Sequence, residues 1–234
     1  LGYSGYPELQ KAMQEMIKDK LTSVQRIDVT AAKIGEGNVL DTVLNQDIQK
    51  IRRTLEETSR EDFDKAVNSI ISAEHIYIFG MRSSSSLASF LGYYLELIRG
   101  NVHVVTDSSR SGMYEALLRI SEKDAIVGIS FPRYSRTAAK AMTFSKSRGA
   151  ATIAITDSML SPIAENAESV LVARSDMASV VDSLVAPLSL INALIVATVI
   201  SRKDEVKETF EILENVWNEQ GVYTSSQSVS ENNE

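Results

Sequence analysis

Five short apolar runs, separated by helical patterns, constrain this chain more than any other feature. They are "HIYIF" (75–79), "VHVV" (102–105), "DAIVGIS" (124–130), "ATIAIT" (151–156) and "SVLVA" (169–173). Each is nearly continuous in aliphatic and β-branched residues, as expected of a strand covered on both faces. Helical patterns lie between them at 85–100, 111–120 and 135–149, with one or two helical turns at 161–167. Strands alternating with crossover helices predict an α/β fold, a doubly wound, five-stranded parallel sheet flanked by helices.

The flanks are helical. Leu9, Met13, Met16, Ile17 and Leu21 predict an amphipathic helix over 7–23. Val43, Ile48, Ile51 and Leu55 predict a second over 39–58, and a third is expected over 60–73 with Ser59 as its cap. "AAKIGEGNV" (31–39), with Gly35 and Gly37, reads as a loop between the first two. Beyond the last strand, a long helix is expected over about 178–201 and another over 204–219. The expected division is 1–58 as a helical linker and dimerisation segment, 59–223 as the ligand domain and 224–234 as a disordered polar tail. The chain opens on Leu1 rather than Met, which suggests a fragment or a processed product.

Composition removes several functions. There is no cysteine, so disulfides, thiolate nucleophiles and cysteine-held metals are excluded. Two histidines, His75 and His103, leave little for a metal cluster, and no metal or cofactor is expected. A net charge of −7 and a pI near 5.1 argue against nucleic-acid binding over the whole surface. The N-terminal stretch is polar and amphipathic, unlike a signal peptide. "SLVAPLSLINALIVATVIS", from Ser183 to Ser201, carries no charge and approaches the length of a membrane span. It includes Pro187, Ser189, Asn192 and Thr198, and is expected to be a helix buried all round in a cytoplasmic protein.

In a doubly wound sheet, ligands bind beyond the strand C-termini, so the polar residues that follow the strands are the candidates. After the first strand, Gly80 permits a tight exit, and Arg82 and Ser83–Ser86 open the next helix. Helix-terminal amides and serine hydroxyls suit an anion there; one serine would also serve as an ordinary N-cap. After the third strand, Ser130, Arg133, Tyr134, Ser135 and Thr137 repeat that chemistry, against the plainer reading of a capped helix with an exposed arginine. Arg82 and Arg133 could clamp a phosphate or carboxylate through paired hydrogen bonds. Thr106, Asp107 and Ser108 could hold the hydroxyls of a ligand or simply form a turn. Asp157 and Ser158 look like turn and cap residues, and both histidines like core or edge residues. No catalytic triad, catalytic carboxylate pair, Walker loop or dinucleotide fingerprint stands out, so no catalytic residue is assigned.

These residues bring a resemblance. The stretch from about 60 to 201 resembles a SIS (sugar isomerase) domain. "LGYSGYPELQKAM" resembles the segment after the helix-turn-helix in MurR/RpiR-family regulators, and "DSLVAPLSLINALIVATV" resembles their penultimate helix. The family's GxGxSxxxA pattern matches Gly80, Ser84 and Ala88, with Arg82 where the second glycine is usual. Its SxSGxT-like loop matches Ser130 and Ser135, with Pro132 and Arg133 replacing the middle serine and the glycine. The resemblance implies a sensor domain that binds a sugar phosphate or related acidic sugar and modulates DNA binding. DNA would be read by an N-terminal helix-turn-helix largely missing from this chain. It also implies a homodimer or homotetramer, no membrane partner, and no catalysis. Isomerases and lyases on the same fold use an acid/base pair such as Glu and His. Glu115 and Glu122 are the carboxylates to consider for that alternative, though both also fit a solvated helix face or turn. A dimerisation module with an empty cleft is the third reading.

Overall fold

The computed structural model describes residues 22–34, 37–105, 110–175 and 181–222. Three helices, α1 (Ser23–Ile34), α2 (Val39–Glu57) and α3 (Arg60–Ser72), precede the sheet. Then β1 (Ile76–Gly80), α4 (Ser84–Arg99), β2 (Val102–Val105), α5 (Arg110–Ala116), β3 (Ala125–Ile129), α6 (Arg136–Ser147) and β4 (Ala151–Thr156) follow. A short 3-10 turn (Ala164–Asn166), β5 (Ser169–Val172), α7 (Val185–Ser201) and α8 (Lys203–Gln220) complete the described chain. The five strands are all parallel in the order β2-β1-β3-β4-β5, so the expected fold class holds.

Strand side chains alternate between two cores. Ile76, Ile78, Val127, Ile129, Ile153 and Leu171 join α3, α4, α7 and Val206 of α8 on one face. Tyr77, Phe79, Ile126, Ala154 and Val170 join α5, α6 and the 3-10 turn on the other. Burial on both faces is why the strands read as unbroken apolar runs. No single helix among the described residues is long and apolar enough to cross a membrane.

Several expected boundaries move. Residues 31–34, expected in a loop, lie in α1. Hydrophobic spacing does not mark α1, because its inward residue is Arg26, 5% exposed, while Val24 and Ile27 face out. A reciprocal cap marks it instead: Gln25 N donates to Thr22 Oγ1 at 3.3 Å and Thr22 N to Gln25 Oε1 at 2.9 Å. The expected first helix over 7–23 falls almost wholly outside the described residues, as do Gly35 and the tail at 224–234. The helix expected from 178 begins at Val185, which puts Pro187 in its first turn, where a missing N–H costs nothing. Nor is α7 buried all round: Val185, Val196 and Ile200 are exposed, because α2, α3 and α4 cover only part of its girth. Ser59 caps α3 as expected, accepting from Asp62 N at 3.1 Å.

The linker helices are tied to the segment after β5 by polar contacts. Only Lys50 and Thr54 of α2 are buried. Thr58 Oγ1 donates to Val172 O (2.8 Å), and Arg174 N donates to Thr54 Oγ1 (2.8 Å). Arg174 also pairs with Glu57. Asp47 Oδ1 accepts from Ser183 Oγ (2.6 Å) and from Lys50 Nζ (3.1 Å). From α1, Arg26 reaches Asp182 at 3.3 Å.

Candidate functional site

The topology reverses between β1 and β3, since β2 lies beside β1 and β4 beside β3. That switch point is where a doubly wound sheet opens a crevice at its carboxyl edge. Register pairs Gly80 with Ile129, so the loops after β1 and β3 leave the sheet side by side. The two serine-rich stretches picked from sequence are these two loops.

The first loop is tight. A Cβ on Gly80 would lie 2.5 Å from the carbonyl oxygen of Ser84 and 3.0 Å from its carbon, so only glycine allows α4 to start this close to β1. Arg82 follows with φ 56°, the left-handed conformation that usually selects glycine. Its carbonyl accepts from Ser85 N (3.0 Å) and from Ser85 Oγ (2.6 Å). Ser83 takes the N-cap position yet makes no side-chain cap bond. Ser84 N donates to Met81 O and Ser86 N to Ser83 O, which leaves the Arg82 and Ser83 amides without a backbone acceptor among the described residues. Ser84 is buried at 4% exposure, and its hydroxyl meets no partner among the described residues.

The second loop is anchored from below. Ser130 is 3% exposed. Its amide donates to Ile155 O (3.1 Å), and its Oγ accepts from Ser135 N (3.2 Å). Phe131 and Pro132 are tucked inward while Arg133 is exposed. Ser135 caps α6, its Oγ accepting from Ala138 N at 3.2 Å, so this serine has the structural role weighed against a binding one. Thr137 is half-buried in the first turn of α6. Tyr134 donates its hydroxyl to Asp157 Oδ1 (2.8 Å), which also lies 3.4 Å from Thr156 Oγ1. Asp157 therefore does more than turn the chain: it fixes the neighbouring loop. Sequence alone hides that pairing, because it depends on β3 and β4 being adjacent. Ser158 is a turn residue, accepting from Leu160 N at 3.1 Å.

Chemically, the two loops offer buried hydroxyls, free amides at two helix N-termini and two exposed arginines. Neither Arg82 nor Arg133 has an ion-pair partner among the described residues. That set can hold an oxyanion by charge-assisted hydrogen bonds. Thr106, Asp107 and Ser108 lie outside the described residues. No group of three or more His, Asp or Glu able to hold a metal occurs among the described residues.

The histidines lie elsewhere. His75 precedes β1, roughly 16 Å along the strand from Gly80 at ~3.3 Å per residue. Its Nδ1 shares a hydrogen bond with Asp124 Oδ1 (3.0 Å). Burial alone would raise the Asp124 carboxyl, but hydrogen bonds from the Ser121 hydroxyl and amide and from His75 hold it below its ordinary value. Glu115 lines a groove together with His75 and His103, whereas Glu122 is exposed beside Gly149.

Comparison with known proteins places this geometry. The SIS domain family model matches residues 69–197. An uncharacterized HTH-type transcriptional regulator of Haemophilus influenzae is 27% identical over 154 residues, 66% of this chain and 47% of that protein. The chain thus spans about half the length of that curated relative. Among solved structures, the sugar isomerase domain of an RpiR transcription factor from Sphaerobacter thermophilus aligns with a TM-score of 0.72 and 28% identity, covering 76% of this chain and 98% of that one. The Vibrio vulnificus NanR protein complexed with ManNAc-6P aligns at 0.65 with 20% identity, covering 92% and 77%. The c3406 protein of Escherichia coli CFT073 shares the fold at 0.57 with 16% identity, covering 76% and 99%. With a five-stranded parallel sheet, paired serine loops at its switch point and a match to that model over more than half its length, the chain belongs to the SIS domain family, and it is similar to the sugar isomerase domain of an RpiR transcription factor.

Proposed function

We propose that this chain is the effector-sensing domain of a transcriptional regulator. It binds a sugar phosphate or a related acidic sugar between the loops after β1 and β3, and so modulates DNA binding by a helix-turn-helix of the full-length regulator. The observation that carries this reading is that the paired strand ends Gly80 and Ile129 lead into adjacent loops with a buried serine each, Ser84 at the start of α4 and Ser130 just past β3, flanked by Arg82 and Arg133. Gly80, Arg82, Ser83, Ser84, Ser130, Arg133 and Thr137 supply the anion contacts, with Ser135 capping α6 and able to donate its hydroxyl proton, and Tyr134 fixing the second loop through Asp157. Thr106, Asp107 and Ser108 face the rest of the ligand in this reading. Relatives described as regulators, and the ManNAc-6P held by the NanR neighbour, support the ligand class.

Calorimetry with a panel of hexose and pentose phosphates and sugar acids tests it. The Arg82→Ala/Arg133→Ala double variant should lose at least ~2 kcal/mol of binding, about 30-fold in Kd, while keeping its fold. Undiminished affinity would sink the assignment. An isomerase or lyase on this fold is the competing reading. Against it, the Glu115 carboxylate and both imidazoles line a groove along β2 to which Arg82, Ser84, Ser130 and Arg133 do not contribute. Turnover of any panel member by purified protein would reverse that judgement.

The domain works as a homodimer in this proposal. Helix α2 exposes Leu40, Val43, Leu44, Ile48 and Leu55, and α7 exposes Val196 and Ile200, more apolar surface than a free helix pair keeps in water. Residues 1–58 then serve as linker and interface, and 59–223 as the sensor.

A further inference from the structure

A groove of about 620 Å³ opens at the free edge of the sheet, along β2, with Val104 and Val105 in its lining as well as both histidines. A row of rings forms its floor. Register sets His103 against Tyr77, with ring centroids 5.1 Å apart. The His75 ring stacks on the other side of His103 at 5.7 Å and 25°. The chain has two histidines in all, and both are here. Glu115, Leu118 and Arg119, from the end of α5 and the turn after it, form the wall.

Apart from His75, which is bonded to Asp124, the polar side chains of this groove make no hydrogen bond or ion pair among the described residues. Tyr77 is 6% exposed, yet its hydroxyl makes no hydrogen bond among the described residues. Burial, and secondarily the Asp124 carboxylate, raise the Tyr77 pKa, with Arg119 opposing them, so the phenol stays protonated and can donate. Arg119 and Glu115 are exposed and without an ion pair among the described residues, and the His103 ring has no hydrogen bond there. Asp124 occupies Nδ1 of His75 and leaves the opposite ring nitrogen. The Tyr77 ring is therefore held by the core while its hydroxyl is open to the groove and available to a ligand.

We propose that this groove is a second small-molecule site, separate from the strand-end cleft. Its ligand is a ring compound bearing a carboxylate or phosphate. The ring lies on the His75–His103–Tyr77 row, and the oxyanion accepts from Arg119 and the Tyr77 hydroxyl. Glu115 accepts from a hydroxyl or N–H on the ring. An arginine beside a donor hydroxyl selects oxyanions, and a row of rings, here tilted by 25° and 36° to one another, offers apolar and aromatic contact to a ring partner.

Because both histidines line the groove, proton–carbon spectra of their rings report on it with two signals. Phenyl phosphate and benzoate are titrated separately at fixed pH, with inorganic phosphate as the probe lacking a ring. Phenyl phosphate or benzoate should move both signals to saturation, and which of them binds tighter identifies the oxyanion. Inorganic phosphate should bind more weakly. Arg119→Ala, a change at an exposed position, should weaken binding by about ten-fold or more. Arg82→Ala/Arg133→Ala should leave it unchanged. Static signals, shifts that never saturate, undiminished affinity in Arg119→Ala, or loss of the shifts in the Arg82/Arg133 variant would each overturn the proposal.

Discussion

Replacing Arg82 by glycine should stabilise the fold while it weakens ligand binding. Arg82 sits at φ 56°, where a residue with a Cβ is disfavoured by ~1–2 kcal/mol. Glycine removes that penalty but gains freedom in the unfolded chain, which returns ~0.5–1 kcal/mol. The net gain is centred on ~0.75 kcal/mol and at most ~1.5 kcal/mol, or about 2–3 °C and no more than about 6 °C in Tm for a protein of this size. Loss of the side chain itself should matter little, since Arg82 is exposed and has no ion-pair partner among the described residues. Arg82→Ala is the control: it removes the guanidinium but keeps the backbone penalty, so its stability should lie within ~0.5 kcal/mol of the parent. Thermal and urea melts of the three proteins, with calorimetry on the same samples, separate the two effects. Both variants should lose affinity, and only the glycine variant should gain stability. If Arg82→Gly melts below Arg82→Ala, the left-handed backbone is not what the arginine opposes, and the argument fails.

Two further outcomes follow from the same geometry. Asp124 accepts from Ser121 N and Oγ and from His75 N and Nδ1, so Asp124→Asn places an amide donor against existing donors and should cost ~1–3 kcal/mol by urea melt. Because its folded pKa lies below 3.8, its contribution is fully present above that pH and is lost as pH falls through the folded value; the acid limb of stability should therefore be shallower in Asp124→Asn. Leu44→Glu/Ile48→Glu, both at exposed positions of α2, should convert the assembly to monomers by light scattering with the circular dichroism unchanged, and an unaltered mass would place the interface elsewhere.

The sheet was legible because its strands are buried on both faces, which forces unbroken apolar runs, and because polar loops must follow them. The same logic located Ser84 and Ser130. What escaped were contacts between residues distant in sequence. Tyr134 finds Asp157, and His75 meets His103, only once strand order and register are known. Helix α1 escaped because its inward residue is an arginine, although the Thr22–Gln25 cap was there to be read. The start of α7 lies at Val185 rather than near 178, and Pro187 in its first turn is the residue that marks it.

The contacts between α2 and the segment after β5 have a mechanical consequence. Asp47, Lys50, Thr54 and Thr58 fall at helical spacing along one stripe, and each meets a particular partner. An apolar seam tolerates small slides, since one methyl can replace another. A stripe of directional hydrogen bonds does not: a slide of even part of the ~5.4 Å helical pitch breaks the bonds from Asp47, Thr54 and Thr58 to Ser183, Arg174 and Val172 together. The axial position of α2 is therefore locked to Val172, Arg174 and Ser183. Ala173 N in turn donates to Thr156 O at 2.7 Å, the residue before the Asp157 that holds Tyr134. Displacement of that strand edge must either carry α2 with it as a stiff rod or break the stripe outright, with no compliant state between.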